Sequence, residues 1–164
     1  MAENITVQQG SKEEMYRELL PQIAALIAGE TDTVANMANV AAALQQSFHF
    51  FWTGFYVVKG ENLVLAPFQG PVACTRIGYG KGVCGTAWKE ARTIIVPDVE
   101  QFPGHIACNA ASRSEIVVPL FRCGQVVAVL DIDSDTPDAF NAIDAAALEQ
   151  IAVWLTTDAT TTSK

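Results

Sequence analysis

The chain has little basic charge and contains no long apolar run. Its 164 residues include 10 Lys and Arg against 18 Asp and Glu, for a formal net charge of -8. Nucleic acids and anionic membranes are bound mainly through clusters of basic side chains, so neither partner is expected. No segment approaches the ~20 apolar residues of a transmembrane helix, and residues 1–5 lack the features of a signal peptide. We therefore expect a cytoplasmic protein whose partners are small molecules or other proteins.

The sequence also lacks closely spaced cysteines. Its four cysteines are Cys74, Cys84, Cys108 and Cys123. Structural zinc sites usually take cysteines in close pairs, so a site built from Cys74, Cys84, Cys108 and His105 is disfavoured, and we expect no metal and no cofactor. Thiols of cytoplasmic proteins are kept reduced, so structural disulfides cannot be assumed. Core packing, metal binding and redox chemistry are the roles open to these thiols.

One segment matches the pattern of a nucleotide-binding motif but lacks the secondary structure that this motif needs. Residues 80–85 read Gly-Lys-Gly-Val-Cys-Gly and match G-x-G-x-x-G. The dinucleotide fingerprint also needs a buried strand before the glycines and a crossover helix after them. Residues 74–77 make a poor buried strand, and the helix that follows is short. A P-loop would need Lys-Ser or Lys-Thr after the loop, and neither pair is present.

Length and composition suit one domain with a substantial core, because 50% of the residues are hydrophobic. We assign residues 1–164 to this single domain, its core to about residues 11–156 and a flexible tail to residues 158–164.

The pattern of apolar residues predicts the secondary structure. Helices are predicted at 11–28, from Thr31 or Asp32 onward, at 84–91 and at 141–156. Hairpins are predicted from 49–58 with 63–68 and from 115–121 with 125–132, and a short strand at 93–96. This order of elements predicts an α/β protein of the α+β type. Its central antiparallel sheet carries helices on one face and the loops of a ligand site on the other.

The stretch from Cys74 to Cys108 is the predicted centre of chemistry, because it holds three of the four cysteines together with many glycines. Residues 105–112 are predicted to form one helical turn. Its free N–H groups and the His105 imidazole would stabilise a Cys108 thiolate. Trp52 and Tyr56 share one face of their strand by period 2, so they are expected to form one wall.

Three carboxylates are expected at the ends of two paired strands. Asp131 and Asp133 share a face by their spacing, and Glu115 begins the strand that pairs with theirs. These acids would then meet beside the Cys108 sulfur. A solvated strand end is the alternative, since surface carboxylates are common.

Together these residues resemble the free methionine-(R)-sulfoxide reductase family, a catalytic branch of the GAF-domain fold. The resemblance covers about residues 50–134 and includes three cysteines separated by 10 and 24 positions (84 − 74 and 108 − 84). The segments that carry it are Trp52-Thr53-Gly54-Phe55-Tyr56, Pro67-Phe68-Gln69-Gly70, Gly80-Lys81-Gly82-Val83-Cys84-Gly85, Gly104-His105-Ile106-Ala107-Cys108, Ser114-Glu115-Ile116-Val117-Val118-Pro119 and Leu130-Asp131-Ile132-Asp133-Ser134. Asn109 stands where the family commonly has Asp, and Arg113 where it commonly has Asn.

The resemblance implies a single GAF-like domain that reduces free L-methionine (R)-sulfoxide to methionine. By resemblance, Cys108 attacks the sulfoxide sulfur and becomes a sulfenic acid, and Cys74 then condenses with it to a disulfide. Thioredoxin is the implied reductant of that disulfide. Cys84 is either an auxiliary catalytic thiol or a packing residue, and Cys123 lies outside the family pattern.

The resemblance also implies how the substrate is held. Trp52 and Tyr56 surround its methyl group, and backbone N–H groups at Ile106, Ala107 and Cys108 bind its carboxylate, as expected at a helix N-terminus.

The acidic residues Glu115, Asp131 and Asp133 are implied to bind the ammonium group and the sulfoxide oxygen. Close carboxylates cannot all ionise easily, so one of them is expected to have a raised pKa and to protonate the leaving oxygen. Glu115 and Asp133 are therefore placed among the catalytic residues. The main alternative function is a GAF module that binds a small ligand or reports redox state without turnover. The oligomeric state stays open, a homodimer included.

Overall fold

Two capped helices begin the chain in the computed structural model, which describes residues 4–157. They are α1 (Lys12–Ile27) and α2 (Thr33–Phe48). Ser11 forms the predicted capping box on α1, and the Asp32 side chain caps α2. His49 ends α2 in the left-handed conformation. The strand predicted from residue 49 therefore begins only at Trp52, because the helix and its cap take the preceding residues.

In the described part of the chain, six strands form one antiparallel sheet. They are β1 (Trp52–Lys59), β2 (Asn62–Gln69), β3 (Arg76–Gly78), β4 (Ile94–Val96), β5 (Ser114–Arg122) and β6 (Gln125–Ser134). Their order across the sheet is β3-β2-β1-β6-β5-β4. Both predicted hairpins are present, and β1 pairs with β6 to join them at the centre. The sequence did not predict β3, which is three residues long and pairs with β2 at the sheet edge.

One face of the sheet carries the main helical layer. Helices α2 and α4 (Ala142–Thr156) pack on the strands, and α1 packs against both of these helices. Phe55, Ile116 and Leu130 point from the strands into this layer, where they meet Leu19 and Leu148 with all five side chains fully buried. Burial of this apolar area stabilises the fold and fixes which strand face turns inward. The predicted α+β domain with helices on one face is confirmed.

The opposite face carries one short helix as well as loops. This helix, α3 (Gly82–Glu90), packs on β5 and β6, and Val83 and Cys84 are buried there together with Tyr56. A Cβ atom at Gly85 would collide with the Gly78 carbonyl oxygen, so glycine lets α3 lie directly against β3. The site face thus holds a helix that the fold prediction had not placed on it.

Within residues 4–157, no helix has the length and apolarity needed to cross a membrane. The tail predicted at residues 158–164 lies outside the described residues.

Candidate active site

Strand register brings three carboxyl groups together on the sheet face opposite the main helical layer. Glu115 on β5 pairs directly with Asp133 on β6, and Asp131 lies two residues back along the same strand. On the other side of β6, Trp52 pairs with Asp133. Directly paired residues project from the same face, so the three acids and this aromatic ring line one pocket.

The carboxyl groups are mostly buried. Glu115 and Asp131 are each 6% exposed, so the alternative of a solvated strand end is wrong for both. Burial, followed by the negative charge of Asp131, raises the pKa of Glu115 and of Asp133 well above the ordinary range, and burial raises the pKa of Asp131. The Ser112 hydroxyl donates a hydrogen bond to Asp133 Oδ1 at 2.8 Å. Oδ1 of Asp131 is buried and has no hydrogen-bond partner among residues 4–157, which leaves it free for a ligand.

Cys84 lies against this acidic cluster at the start of α3. Its thiol is buried, and burial followed by the charge of Asp131 raises its pKa well above the ordinary value. A thiol that stays protonated is a weak nucleophile, which favours a packing or hydrogen-bonding role for Cys84. Three possible metal-ligand atoms lie within 4.8 Å of one another and could hold a metal ion, one each from Cys84, Glu115 and Asp131. Cysteine spacing did not suggest this set, because two of its members come from distant strands.

Cys74 and Cys108 are joined by a disulfide, with their Cα atoms 5.5 Å apart. Cys74 lies in the loop after β2 and Cys108 in the long loop before β5, so the bond ties two loops together over the pocket. Cys108 is exposed and Cys74 is half-buried. The structure therefore has the intramolecular disulfide that the family resemblance implied. Cys84 and Cys123 are free thiols, and Cys123 lies exposed at the far end of the β5–β6 hairpin.

Trp52 and Tyr56 form one wall of the pocket, with ring centroids 5.9 Å apart. Gly54 lies between them on β1, and a Cβ atom there would stand 2.6 Å from Trp52 Cη2, so glycine makes room for the indole ring. The Tyr56 hydroxyl donates a hydrogen bond to the Cys74 carbonyl at 2.9 Å, and Trp52 Nε1 donates one to the Pro71 carbonyl at 3.0 Å. Sequence reasoning assigned both rings to the substrate and missed that they also hold the Cys74 loop.

The helical turn predicted at residues 105–112 is wrong. This segment is an irregular loop in which the Cys108 N–H donates to the Ile106 carbonyl at 3.1 Å. A single helical turn is marginal without tertiary packing, and the disulfide holds Cys108 to the Cys74 loop. The N–H groups of Ile106 and Ala107 make no hydrogen bond within the described part of the chain.

The helix N-terminus at the pocket belongs to α3 instead. The Ile106 side chain packs on Gly82, the first residue of α3, where an added Cβ atom would lie 3.1 Å from Ile106 Cδ1. The Lys81 cap makes no side-chain hydrogen bond to the first turn. The positive end of the helix dipole therefore lies beside the free N–H groups of Ile106 and Ala107.

His105 faces the acids. Its Nε2 lies 3.8 Å from Glu115 Oε2, too long for a hydrogen bond. Burial lowers the pKa of the imidazole, which favours its neutral form. The prediction that His105 stabilises the Cys108 thiolate would need a protonated ring, so the observed environment does not favour it.

The chain is similar to known proteins over most of its length. A family model for the GAF domain matches residues 27–153. GAF domain-containing protein A of Dictyostelium discoideum is 60% identical over 152 residues, covering 92% of this chain and 96% of that protein. Free methionine-R-sulfoxide reductase of Escherichia coli is 45% identical over 146 residues, covering 88% of each. The chain belongs to the free methionine-R-sulfoxide reductase family of GAF-domain proteins.

A solved structure extends the likeness to this reductase family over nearly the whole chain. The X-ray structure of free methionine-R-sulfoxide reductase from Neisseria meningitidis, in complex with its substrate, matches with a TM-score of 0.92 and 51% identity. The match covers 94% of this chain and 93% of that one. The family and fold that the sequence motifs implied are confirmed.

Proposed function

We propose that this chain reduces free methionine-(R)-sulfoxide to methionine with its own thiols. The observation that carries the proposal is the Cys74–Cys108 disulfide, which lies at a pocket lined by three carboxyl groups and an aromatic wall. The reductases of Escherichia coli and Neisseria meningitidis, at 45% and 51% identity, support it.

The pocket matches each part of a zwitterionic amino acid. Asp131, with its unpartnered buried oxygen, binds the ammonium group together with Asp133. Trp52 and Tyr56 enclose the methyl group. The substrate carboxylate takes the free N–H groups of residues 106 and 107, next to the N-terminus of α3.

The proposed reaction begins with the Cys108 thiolate and ends with the Cys74–Cys108 disulfide that the structure contains. The thiolate attacks the sulfoxide sulfur, and Glu115, whose pKa is raised by burial and by Asp131, gives a proton to the oxygen. The oxygen passes to the cysteine sulfur as a sulfenic acid while methionine leaves, so two electrons move from Cys108 to the substrate. The Cys74 thiol then displaces water from the sulfenic acid and closes the disulfide.

We also propose that a thioredoxin-type protein reduces this disulfide, and that the cycle operates in the cytoplasm, where such dithiols are kept reduced. The exposed position of Cys108 supports access by an external thiol.

One experiment tests the activity. The fully reduced protein is mixed with the R or the S epimer of methionine sulfoxide, without added reductant, and both methionine formed and thiols lost are counted. The R epimer is expected to give about one methionine and a loss of about two thiols per chain. A GAF module that only reports redox state would lose thiols without forming methionine, and that result would contradict the proposal. Cys108→Ser is the matched control.

A further inference from the structure

The Cys74–Cys108 disulfide joins two chain segments that contain no formally charged residue. The two segments that contain these cysteines, residues 70–75 and 102–112, include no Asp, Glu, Lys or Arg, although 17% of the chain is charged. We name these two segments the disulfide collar. In a protein with a net charge of -8, the collar itself is neutral, and the exposed Arg76 and Arg113 follow its two segments.

Two large apolar side chains of the collar face solvent. Val72 is 86% exposed and Ile106 is 39% exposed, and each stands two residues before a cysteine of the disulfide. With this exposure, Val72 adds little to the core, so its role in the fold alone is small. Exposed apolar side chains in an uncharged setting are typical of the central part of protein interfaces, where charged residues are depleted.

We propose that the disulfide collar is the docking surface for the protein dithiol that reduces Cys74–Cys108, with Val72 as its main apolar contact. This inference rests on the proposed function, in which the disulfide is recycled by such a protein. The chemistry of reduction places the protein dithiol on the collar, because its attacking sulfur must reach bonding distance of a disulfide sulfur. A folded protein that does so has to cover the residues around the bond, whereas a free amino acid in the pocket does not.

The exchange takes place in two steps at this surface. A thiolate of the partner attacks the Sγ of exposed Cys108, so that a mixed disulfide forms and Cys74 leaves as a thiolate. The partner's second thiolate then attacks the partner's own sulfur, and Cys108 is released. Two electrons pass from the partner dithiol to the two cysteines, which take up two protons. A neutral collar favours this contact because covering the collar's own residues desolvates no charged side chain.

The test compares two reductants for one substitution. In Val72→Asp, a charge is placed in the collar, and Val34→Asp is the control, since Val34 is 64% exposed on α2 in the main helical layer. With methionine sulfoxide saturating, kcat/KM for reduced thioredoxin is measured, and the rate with dithiothreitol is measured beside it. Val72→Asp is expected to lower kcat/KM for thioredoxin by ~10-fold, as loss of an interface contact does. Val72 also lines the pocket, but with substrate saturating an 86% exposed side chain should change the dithiothreitol rate by less than about twofold, and Val34→Asp should change neither rate.

Each other outcome contradicts the proposal that the disulfide collar is the docking surface. Unchanged thioredoxin kinetics in Val72→Asp would show that the reductant docks elsewhere. An equal fall with both reductants would show that Val72 shapes the substrate site or the fold. If wild type turns over with dithiothreitol and not with thioredoxin, thioredoxin is not the reductant, and the collar is not its docking surface. If reduced wild type forms no methionine in a single turnover, the proposed activity itself fails.

Discussion

The Tyr56 hydroxyl donates a hydrogen bond of 2.9 Å to the carbonyl oxygen of Cys74, so the aromatic wall of the pocket is linked directly to the cysteine proposed to resolve the sulfenic acid. Burial, followed by the charge of Asp131, raises the pKa of the Tyr56 phenol, which keeps it protonated and able to donate. Trp52 holds the same loop through Pro71. The position of the Cys74 loop therefore depends on the two aromatic side chains that line the pocket.

Tyr56→Phe should separate the two half-reactions. The ring stays, so methionine formation in a single turnover should remain within about threefold of wild type. The lost hydrogen bond loosens the Cys74 loop, so disulfide closure should slow by ~5-fold, the factor expected for about 1 kcal/mol. Trapping of the sulfenic acid with dimedone, followed by mass spectrometry, measures that step. Tyr79→Phe, which removes an exposed hydroxyl, is the control. Disulfide closure at the wild-type rate would show that this bond has no positioning role.

Serine replacements should show which cysteine attacks the substrate, which closes the disulfide and which takes no part. Cys108→Ser is expected to abolish methionine formation, because no thiolate is left to attack the sulfoxide. Cys74→Ser should complete one turnover and then stop in the presence of thioredoxin. Cys123→Ser, at the far end of the β5–β6 hairpin, should behave as wild type. Methionine yields with and without thioredoxin measure all three, and a single turnover by Cys108→Ser combined with none by Cys74→Ser would reverse the roles.

Local sequence periodicity predicted the parts of the site that lie within one strand. Period 2 placed Asp131 with Asp133, and Trp52 with Tyr56, on common faces, as the strands β6 and β1 have them. The predicted hairpin also brought Glu115 to this pair, since β5 and β6 are adjacent in sequence. Burial of the acids could not be derived in this way, because it depends on loops and a helix that pack from elsewhere in the chain.

Features that depend on distant contacts were missed or misplaced. The neighbours of Cys84 in the acidic cluster come from β5 and β6, so no cysteine motif indicated them. The loop at residues 105–112 was assigned a helical turn from its own residues, whereas Cys108 in this loop is bonded to Cys74 in a distant segment. The nearby helix N-terminus is that of α3, which lies on the site face through its packing on the strands.

Blocking either end of the substrate should abolish efficient turnover. The packing of Ile106 on Gly82 holds the Cys108 loop against the start of α3 at the pocket, which leaves little room for a peptide chain. A blocked amine would also leave the buried Asp131 oxygen without a partner. We expect kcat/KM to fall by at least ~10²-fold for N-acetyl-methionine sulfoxide and for the methyl ester, as when a site loses a required polar partner. Comparable values for free and blocked substrates would contradict this arrangement.

Replacement of single carboxyl groups in the acidic cluster should lower the rate of methionine formation. Glu115→Gln removes the proposed proton donor, so single-turnover methionine formation should fall by ~10²–10⁴-fold. Asp131→Asn and Asp133→Asn should weaken substrate binding as well, because both acids are assigned to the ammonium group. Measured across pH, the Glu115→Gln rate should lose the fall at high pH that deprotonation of a general acid causes. Rates within about threefold of wild type in all three variants would exclude every one of these acids as the donor.

Glu115→Gln should also stabilise the substrate-free fold at neutral pH. Burial, with the charge of Asp131, raises the pKa of Glu115 above its value of about 4.3 in the unfolded chain. The folded state then holds the proton more tightly, so this group's contribution to stability is fully present below pH ~4 and is lost as pH rises through the folded pKa. Glutamine has no proton to lose. Thermal unfolding of the oxidised proteins should therefore give the variant a higher Tm at pH 7–8 and a gap that closes towards pH 4. Glu61→Gln, in the exposed β1–β2 turn, should show no such trend. A variant Tm below wild type at pH 7–8, with an unchanged pH dependence, would mean that burial of the Glu115 carboxylate does not destabilise the substrate-free protein.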